Sequence, residues 1–152
     1  MDLHPDFRDL LAALAQEGVS YVVIGGYAVG HHAKPRATKD LDVLVSGTTE
    51  NLERLARALL RFGAPTSVIE LARHMSESEI VYLGTEPVRI DILRSADGID
   101  ADAAIARHET VILDDLSVPV IGLEDLIVNK RASGRPQDVA DLALLERAKA
   151  KS

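Results

Sequence analysis

The chain has 152 residues, 47% hydrophobic and 27% charged, with 17 Lys and Arg against 24 Asp and Glu and a net charge of −7. Such a chain fits one soluble globular domain with a genuine core; it is neither disordered nor suited to coating nucleic acid through a basic surface. Cys is absent, which removes disulfides, zinc–thiolate sites and thiol nucleophiles. The first eleven residues carry charges and lack a continuous apolar region, and no apolar run approaches the length of a membrane span. The expected location is therefore cytoplasmic, with no membrane partner.

Phe7, Leu10, Leu11 and Leu14 fall at helical spacing, with Gly18 as the stop. Tyr21-Val22-Val23-Ile24 is a short, β-branched apolar run that predicts a buried strand. Gly25-Gly26 breaks it, and a short helix is expected over 27–32. A Pro-containing loop over 33–38 leads into a second strand, Asp40-Leu41-Asp42-Val43-Leu44-Val45. Leu52, Leu55, Ala56, Leu59 and Leu60 predict one buried helix face, with Thr48 or Thr49 as N-cap and Gly63 as terminator. The stretch that follows carries no clear pattern.

Strands are expected at 79–83 and 88–93, joined by Gly84-Thr85-Glu86-Pro87 as a hairpin connection. Residues 100–108 are weakly helical. Short strands are expected at 111–113 and 118–121 around Asp114-Asp115. A helix over 123–132 gives way at Ser133-Gly134-Arg135, and Pro136 opens a final helix. This order predicts a mixed α+β (or α/β) fold with a β-sheet flanked by helices, one domain over 1–152 with a core to about 121 and a helical tail over 122–152.

Asp40 and Asp42 carry the chemistry. Residues two apart on a strand face one way, so both carboxylates leave one surface while Leu41 and Val43 anchor the other. Paired carboxylates repel unless a cation neutralises them, and oxygen-only ligation suits Mg²⁺ or Mn²⁺. Asp91, between Ile90 and Ile92, supplies a third acid on another strand. Two ions held by such a set can clamp the attacking and leaving oxygens of phosphoryl or nucleotidyl transfer. The plainer alternative is a solvated strand edge, with Asp91 paired to Arg89 or Arg94. Gly25-Gly26, at a strand end entering a helix, lets backbone amides approach a phosphate. Lys34, Arg36, Thr38 and Lys39 then lie in a loop able to offset triphosphate charge. Lys130 is a further candidate for a triphosphate. Asp138 and Asp141 share a helical face and are able to orient that lysine or an acceptor hydroxyl, although Asp138 in the first turn also suits the helix dipole. Val139, Leu142 and Leu145 are expected to face the core. His31 and His32 have no metal-ligand partner at useful spacing and read as structural or surface residues.

Gly25-Gly26, followed by Arg36-Ala37-Thr38-Lys39-Asp40-Leu41-Asp42 and by Asp91, resembles the signature of the DNA-polymerase-β-like nucleotidyltransferase superfamily. The Gly-Gly form and the run Lys130, Arg135-Pro136-Gln137-Asp138 and Asp141-Leu142 look most like its AbiEii-like, abortive-infection toxin branch. The resemblance implies that Gly25 and Gly26, with Arg36, Thr38, Lys39 and Lys130, bind the phosphates of an NTP such as ATP. It implies that Asp40, Asp42 and Asp91 hold two Mg²⁺ (or Mn²⁺) ions, with Asp91 alternatively the general base. Arg135, Asp138 and Asp141 are secondary site residues. The implied activity is metal-dependent transfer of an NMP to a hydroxyl on tRNA, a protein or a small molecule, with a partner protein or a toxin–antitoxin setting in view. The alternative is an inactive nucleotide-binding or antitoxin module. Gly26 stands where many relatives carry Ser, and the chain is short for the toxin branch.

Overall fold

A computed structural model describes residues 3–35, 38–84 and 87–151. Thirteen elements are defined in chain order. They are α1 (Pro5–Gln16), β1 (Tyr21–Ile24), α2 (Gly25–His32), β2 (Asp40–Val45), α3 (Thr49–Phe62), α4 (Thr66–Arg73), β3 (Ile80–Leu83), β4 (Arg89–Leu93), α5 (Ala101–Ala106), β5 (Glu109–Leu113), β6 (Leu116–Val120), α6 (Leu123–Ser133) and α7 (Pro136–Ala150). The expected mixed α+β architecture is observed.

Six strands form one mixed sheet in the order β3-β4-β2-β1-β6-β5. β1 and β2 run antiparallel, whereas β2 and β4 run parallel with Asp42 opposite Asp91 and Asp40 opposite Arg89. Alternation does the rest. Leu41, Val43, Ile90 and Ile92 are buried, while the intervening acids remain partly accessible. β5 and β6 meet through a two-residue turn in which Asp114 and Asp115 adopt φ of 47° and 68°. Asp is among the few residues that tolerate this left-handed region, and two such residues in succession match the twist of a tight hairpin.

Helix ends follow local chemistry. His4 Nδ1 accepts the Asp6 amide ahead of Pro5-initiated α1, and Thr48 Oγ1 accepts the Asn51 amide at the start of α3. Gly63, at φ 94°, ends α3 in the left-handed conformation that glycine adopts without strain. α1 packs on α2 through an edge-on Phe7–Tyr27 contact with centroids 5.8 Å apart.

Three side chains or segments depart from the expected pattern. Leu60 is 68% exposed, because it lies about 100° round the helix from Leu59, and Ala58 enters the core instead. Val139 is exposed on α7 for the same geometric reason: the inward stripe contains Asp138, Asp141 and Leu145. The unassigned stretch after Gly63 contains α4, whose two turns bury only Ile69 and Ala72, too few positions to display a period. The hairpin reading of β3 and β4 holds in their antiparallel register, while Thr85 and Glu86 of its connection lie outside the described residues. Among the described residues, no helix is long and apolar enough to cross a membrane.

Asn51 fastens the top of α3 to the sheet. Only 2% exposed, it accepts from the Ser20 amide at 2.8 Å and donates to the Ser20 and Ser46 carbonyls at 3.0 and 2.8 Å. Its removal takes a partner from the buried Ser46 carbonyl and from the part-buried Ser20 amide, while the Ser20 carbonyl keeps the Ser46 amide. Asn51→Ala is therefore expected to lower stability by about 2–3 kcal/mol in urea unfolding, with the far-ultraviolet circular dichroism of the native state unchanged.

Candidate active site

The strand-to-helix turn is built around one close approach. Gly25 opens α2 directly after β1, at φ 72°, and a Cβ there would lie 2.1 Å from Asp42 Oδ2. Residue 25 must be glycine on two counts, backbone conformation and the space that the Asp42 carboxylate occupies. Gly25 and Gly26 thus form the first turn of a helix whose amides lack intrahelical partners, beside the carboxylate row of β2.

A cleft of about 690 Å³ opens at this end of the sheet. Gly25, Gly26, Thr38, Asp40, Asp42 and Asp91 line one part of it, and Lys130, Arg135, Asp138 and Asp141 of the α6–α7 corner line another. Residues more than a hundred positions apart are brought together. Lys39 does not line the cleft: it precedes Asp40, and its exposed side chain falls outside the wall. Thr38 donates its hydroxyl to the Asp40 carbonyl at 3.1 Å and so fixes the entry to β2. Arg36 lies outside the described residues.

Two charge clusters share the cleft, and they differ in balance. At the α6–α7 corner Lys130 Nζ lies 3.1 Å from Asp138 Oδ1 and 3.2 Å from Asp141 Oδ2, and the three side chains are almost completely buried. Arg135 adds a 2.8 Å bond to Asp138 Oδ2 from the solvent side, so among the described residues Lys130 and Arg135 face Asp138 and Asp141. Burial pushes the Asp138 carboxyl up, but hydrogen bonds from Arg135, Ser133 and Lys130 prevail and hold it well below the usual carboxylate range. Asp138 therefore does more than complement the helix dipole. Its second oxygen also accepts the Arg135 amide, capping α7.

The strand cluster is short of positive charge. Arg89 Nε donates to Asp91 Oδ1 at 2.8 Å, and its Nη2 lies 3.8 Å from Asp40 Oδ2. The Asp91–Arg89 pair of the plainer alternative is present, yet Asp91 still faces the cleft beside Asp42. The guanidinium also rests over Tyr82, 5.0 Å from the ring centroid. Among the described residues, Arg89 is the cation paired with these three carboxylates. Asp42 registers the excess: burial first, then Asp91 and Asp40, push its carboxyl up to about 6 against the opposing pull of Lys130 and Arg89. An oxygen-only donor set with this deficit fits Mg²⁺ or Mn²⁺.

Sequence reasoning missed Asn129 and Asp97, which also line the cleft; the Asn129 amide donates to the Asp97 carbonyl at 2.9 Å and ties α6 to the loop after β4. A buried polar residue within an apolar helical stretch was the available signal. His31 is exposed and His32 bonds the Ile121 carbonyl, as surface and structural residues do, but both have a neighbour that their spacing in the chain does not show. Glu109, 78 residues beyond His31, brings its carboxylate to 3.4 Å from that ring.

The sheet order, the Gly-Gly turn and the facing acids define the class: this is a nucleotidyltransferase fold. Solved structures share it. The lincomycin-bound lincosamide antibiotic adenylyltransferase LnuA aligns at 14% identity and TM-score 0.62, covering 95% of this chain and 97% of that one. ANT(2'')-Ia, in complex with adenylyl-2''-tobramycin, aligns at 16% identity and TM-score 0.57 over 95% and 91% of the two chains. A putative nucleotidyltransferase from Thermotoga maritima aligns at 18% identity and TM-score 0.55 over 96% and 91%. More particularly, the chain belongs to the family described as nucleotidyl transferase of unknown function (DUF2204), whose model matches residues 4–152. No curated protein matches it.

Removing either cluster's key charge has opposite consequences. Lys130→Met removes the cation held between the buried Asp138 and Asp141 carboxylates and is expected to cost about 3–5 kcal/mol in denaturant unfolding at pH 7. For Asp42 the folded carboxyl binds its proton more tightly than the unfolded one, so metal-free stability falls as pH rises from about 4 through about 6. Asp42→Asn removes that loss. Metal-free thermal unfolding is expected to find the variant about 2–3 kcal/mol more stable than wild type at pH 7–8, and closely similar at pH 4.

Proposed function

We propose that this enzyme transfers an NMP from an NTP, ATP foremost, to a hydroxyl of a small-molecule acceptor. The observation that carries the reading is the Asp42 carboxylate seated on Gly25, with Asp40 and Asp91 beside it, at the mouth of one cleft. Asp40, Asp42 and Asp91 would hold Mg²⁺ or Mn²⁺, two ions by analogy with two-metal sites. Bound there, the metal would neutralise the charge gathering on the transferring phosphoryl group and its leaving pyrophosphate.

The remaining roles fall to the chain. Amides at the Gly25-Gly26 turn bind the phosphates, helped by the positive end of α2. Lys130 is held rigid by Asp138 and Asp141 and, with its charge matched by them, acts mainly to fix that part of the cleft. Asp91 binds an ion or takes the proton of the attacking hydroxyl. Arg89, forked onto Asp91, fixes that carboxylate's orientation.

Cleft volume favours a small acceptor. About 690 Å³ lies in the range of a small-molecule site. The names of two structural neighbours, with lincomycin and adenylyl-2''-tobramycin bound, accord with this class. Kinship with abortive-infection toxins is a second reading, favoured by the assembly of Lys130, Arg135, Asp138 and Asp141 at the cleft; RNA or a partner protein would then be the acceptor. We place the reaction in the cytoplasm, where NTPs are available and a Cys-free chain needs no oxidation to fold.

Incubation with each α-labelled NTP, Mg²⁺ and separate pools of hydroxylated antibiotics, tRNA and cell protein discriminates among these acceptors. Label is expected in the small-molecule pool with stoichiometric pyrophosphate release. Asp40→Ala and Asp42→Ala are each expected to lower the rate by about a thousandfold or more while the circular dichroism spectrum is retained. Tight NTP binding without pyrophosphate release in any pool would instead favour the inactive nucleotide-binding module.

A further inference from the structure

Outside the cleft, the last turn of α2 gathers a different donor set. His31 Nε2 lies 3.4 Å from Glu109 Oε1, and His32 Nε2 lies 3.8 Å from Glu109 Oε2. One ligand atom from each of these three residues falls within 4.8 Å of the other two. Ligands 2.0–2.1 Å from a tetrahedral zinc stand about 3.3–3.4 Å apart, so the observed spacings are close to those of a coordination shell. The burial is graded in a useful way. The His32 side chain is 6% exposed, whereas His31 and Glu109 are 33% and 49% exposed, leaving an anchored inner ligand and an open approach for the ion. The helix C-terminus itself favours a cation.

We propose that His31, His32 and Glu109 form a second metal site, for a divalent transition ion with zinc foremost, separate from the carboxylate cleft. Two imidazoles with one carboxylate suit zinc, whereas the all-oxygen cleft suits magnesium, so the two sites select different ions. In the metal-free protein His32 Nε2–H donates to the Ile121 carbonyl at 2.6 Å. Metal binding turns the His32 ring off that carbonyl and moves the ring proton to Nδ1, which frees Nε2 as a ligand. Water completes the shell.

Such an ion would join the end of α2 to β5. The same helix begins at Gly25 and Gly26, so the metal would brace the far end of the element that presents its amides to the cleft. The site does not depend on the nucleotidyl-transfer reading.

The test is titration of untagged protein with Zn²⁺ in excess Mg²⁺, by competition with a chromophoric chelator and by NMR of the histidine ring nitrogens. One Zn²⁺ per chain is expected, with the Nε2 resonances of His31 and His32 shifting and the melting temperature rising. His31→Gln and Glu109→Gln alter partly exposed side chains, and circular dichroism checks that each remains folded. Each is expected to weaken binding by about tenfold or more, since even outer-shell changes cost that much. Absence of binding, or Zn²⁺ that binds with the two histidine rings unmoved, would overturn the proposal. So would affinity unchanged in either variant.

Discussion

The Asp42 carboxylate occupies the space where a side chain of residue 25 would stand, and much of the molecule is arranged around that contact. It requires β1 and β2 to run side by side in one register, so that Ile24 pairs with Asp42 and the chain turns into α2 immediately beyond. It requires glycine at the turn, at a positive φ that other residues adopt only with strain. It also brings the unpaired amides of a helix start beside a row of carboxylates that repel one another in the absence of cations and become useful in their presence.

The cleft is organised by contrast in charge. At the α6–α7 corner, the buried Lys130, Asp138 and Asp141 pair with one another under the more exposed Arg135, which gives a rigid wall. Elsewhere in the cleft, Arg89 is the cation paired with the strand acids among the described residues, and burial, with the charges of Asp91 and Asp40, raises the proton affinity of Asp42. A buried, balanced cluster holds its geometry whether or not a ligand is present. An unbalanced one waits for a cation. Their meeting in one cleft suits a polyanionic substrate that arrives with its own counter-ions.

Much of the first wall was legible in the chain. Strand alternation is local, so Asp40-Leu41-Asp42 and Ile90-Asp91-Ile92 announce acids on one face and apolar anchors on the other without knowledge of their neighbours. The same holds for glycine and proline at helix ends, as Gly63, Gly134 and Pro136 show. Amphipathic stripes were less secure at their edges. Leu60 and Val139 lie outside because a residue one position from the stripe turns about 100° away. Helix α4 was illegible for want of length.

The sequence alone determined the class of chemistry, because the spacing of Gly25-Gly26, Asp40, Asp42 and Asp91 is a property of strands and turns that form locally. Only the tertiary structure decided which distant charges meet. It turned Asp138 and Asp141 inward because Lys130 was there to neutralise them, drew Arg89 between Asp91 and Asp40 through the parallel register of β2 and β4, and set Glu109 beside His31 and His32. The physical reason is common to all three. Burial and pairing of charge depend on separations of a few ångströms between residues far apart in the chain, and those separations exist only once the sheet order and the α6–α7 corner are formed.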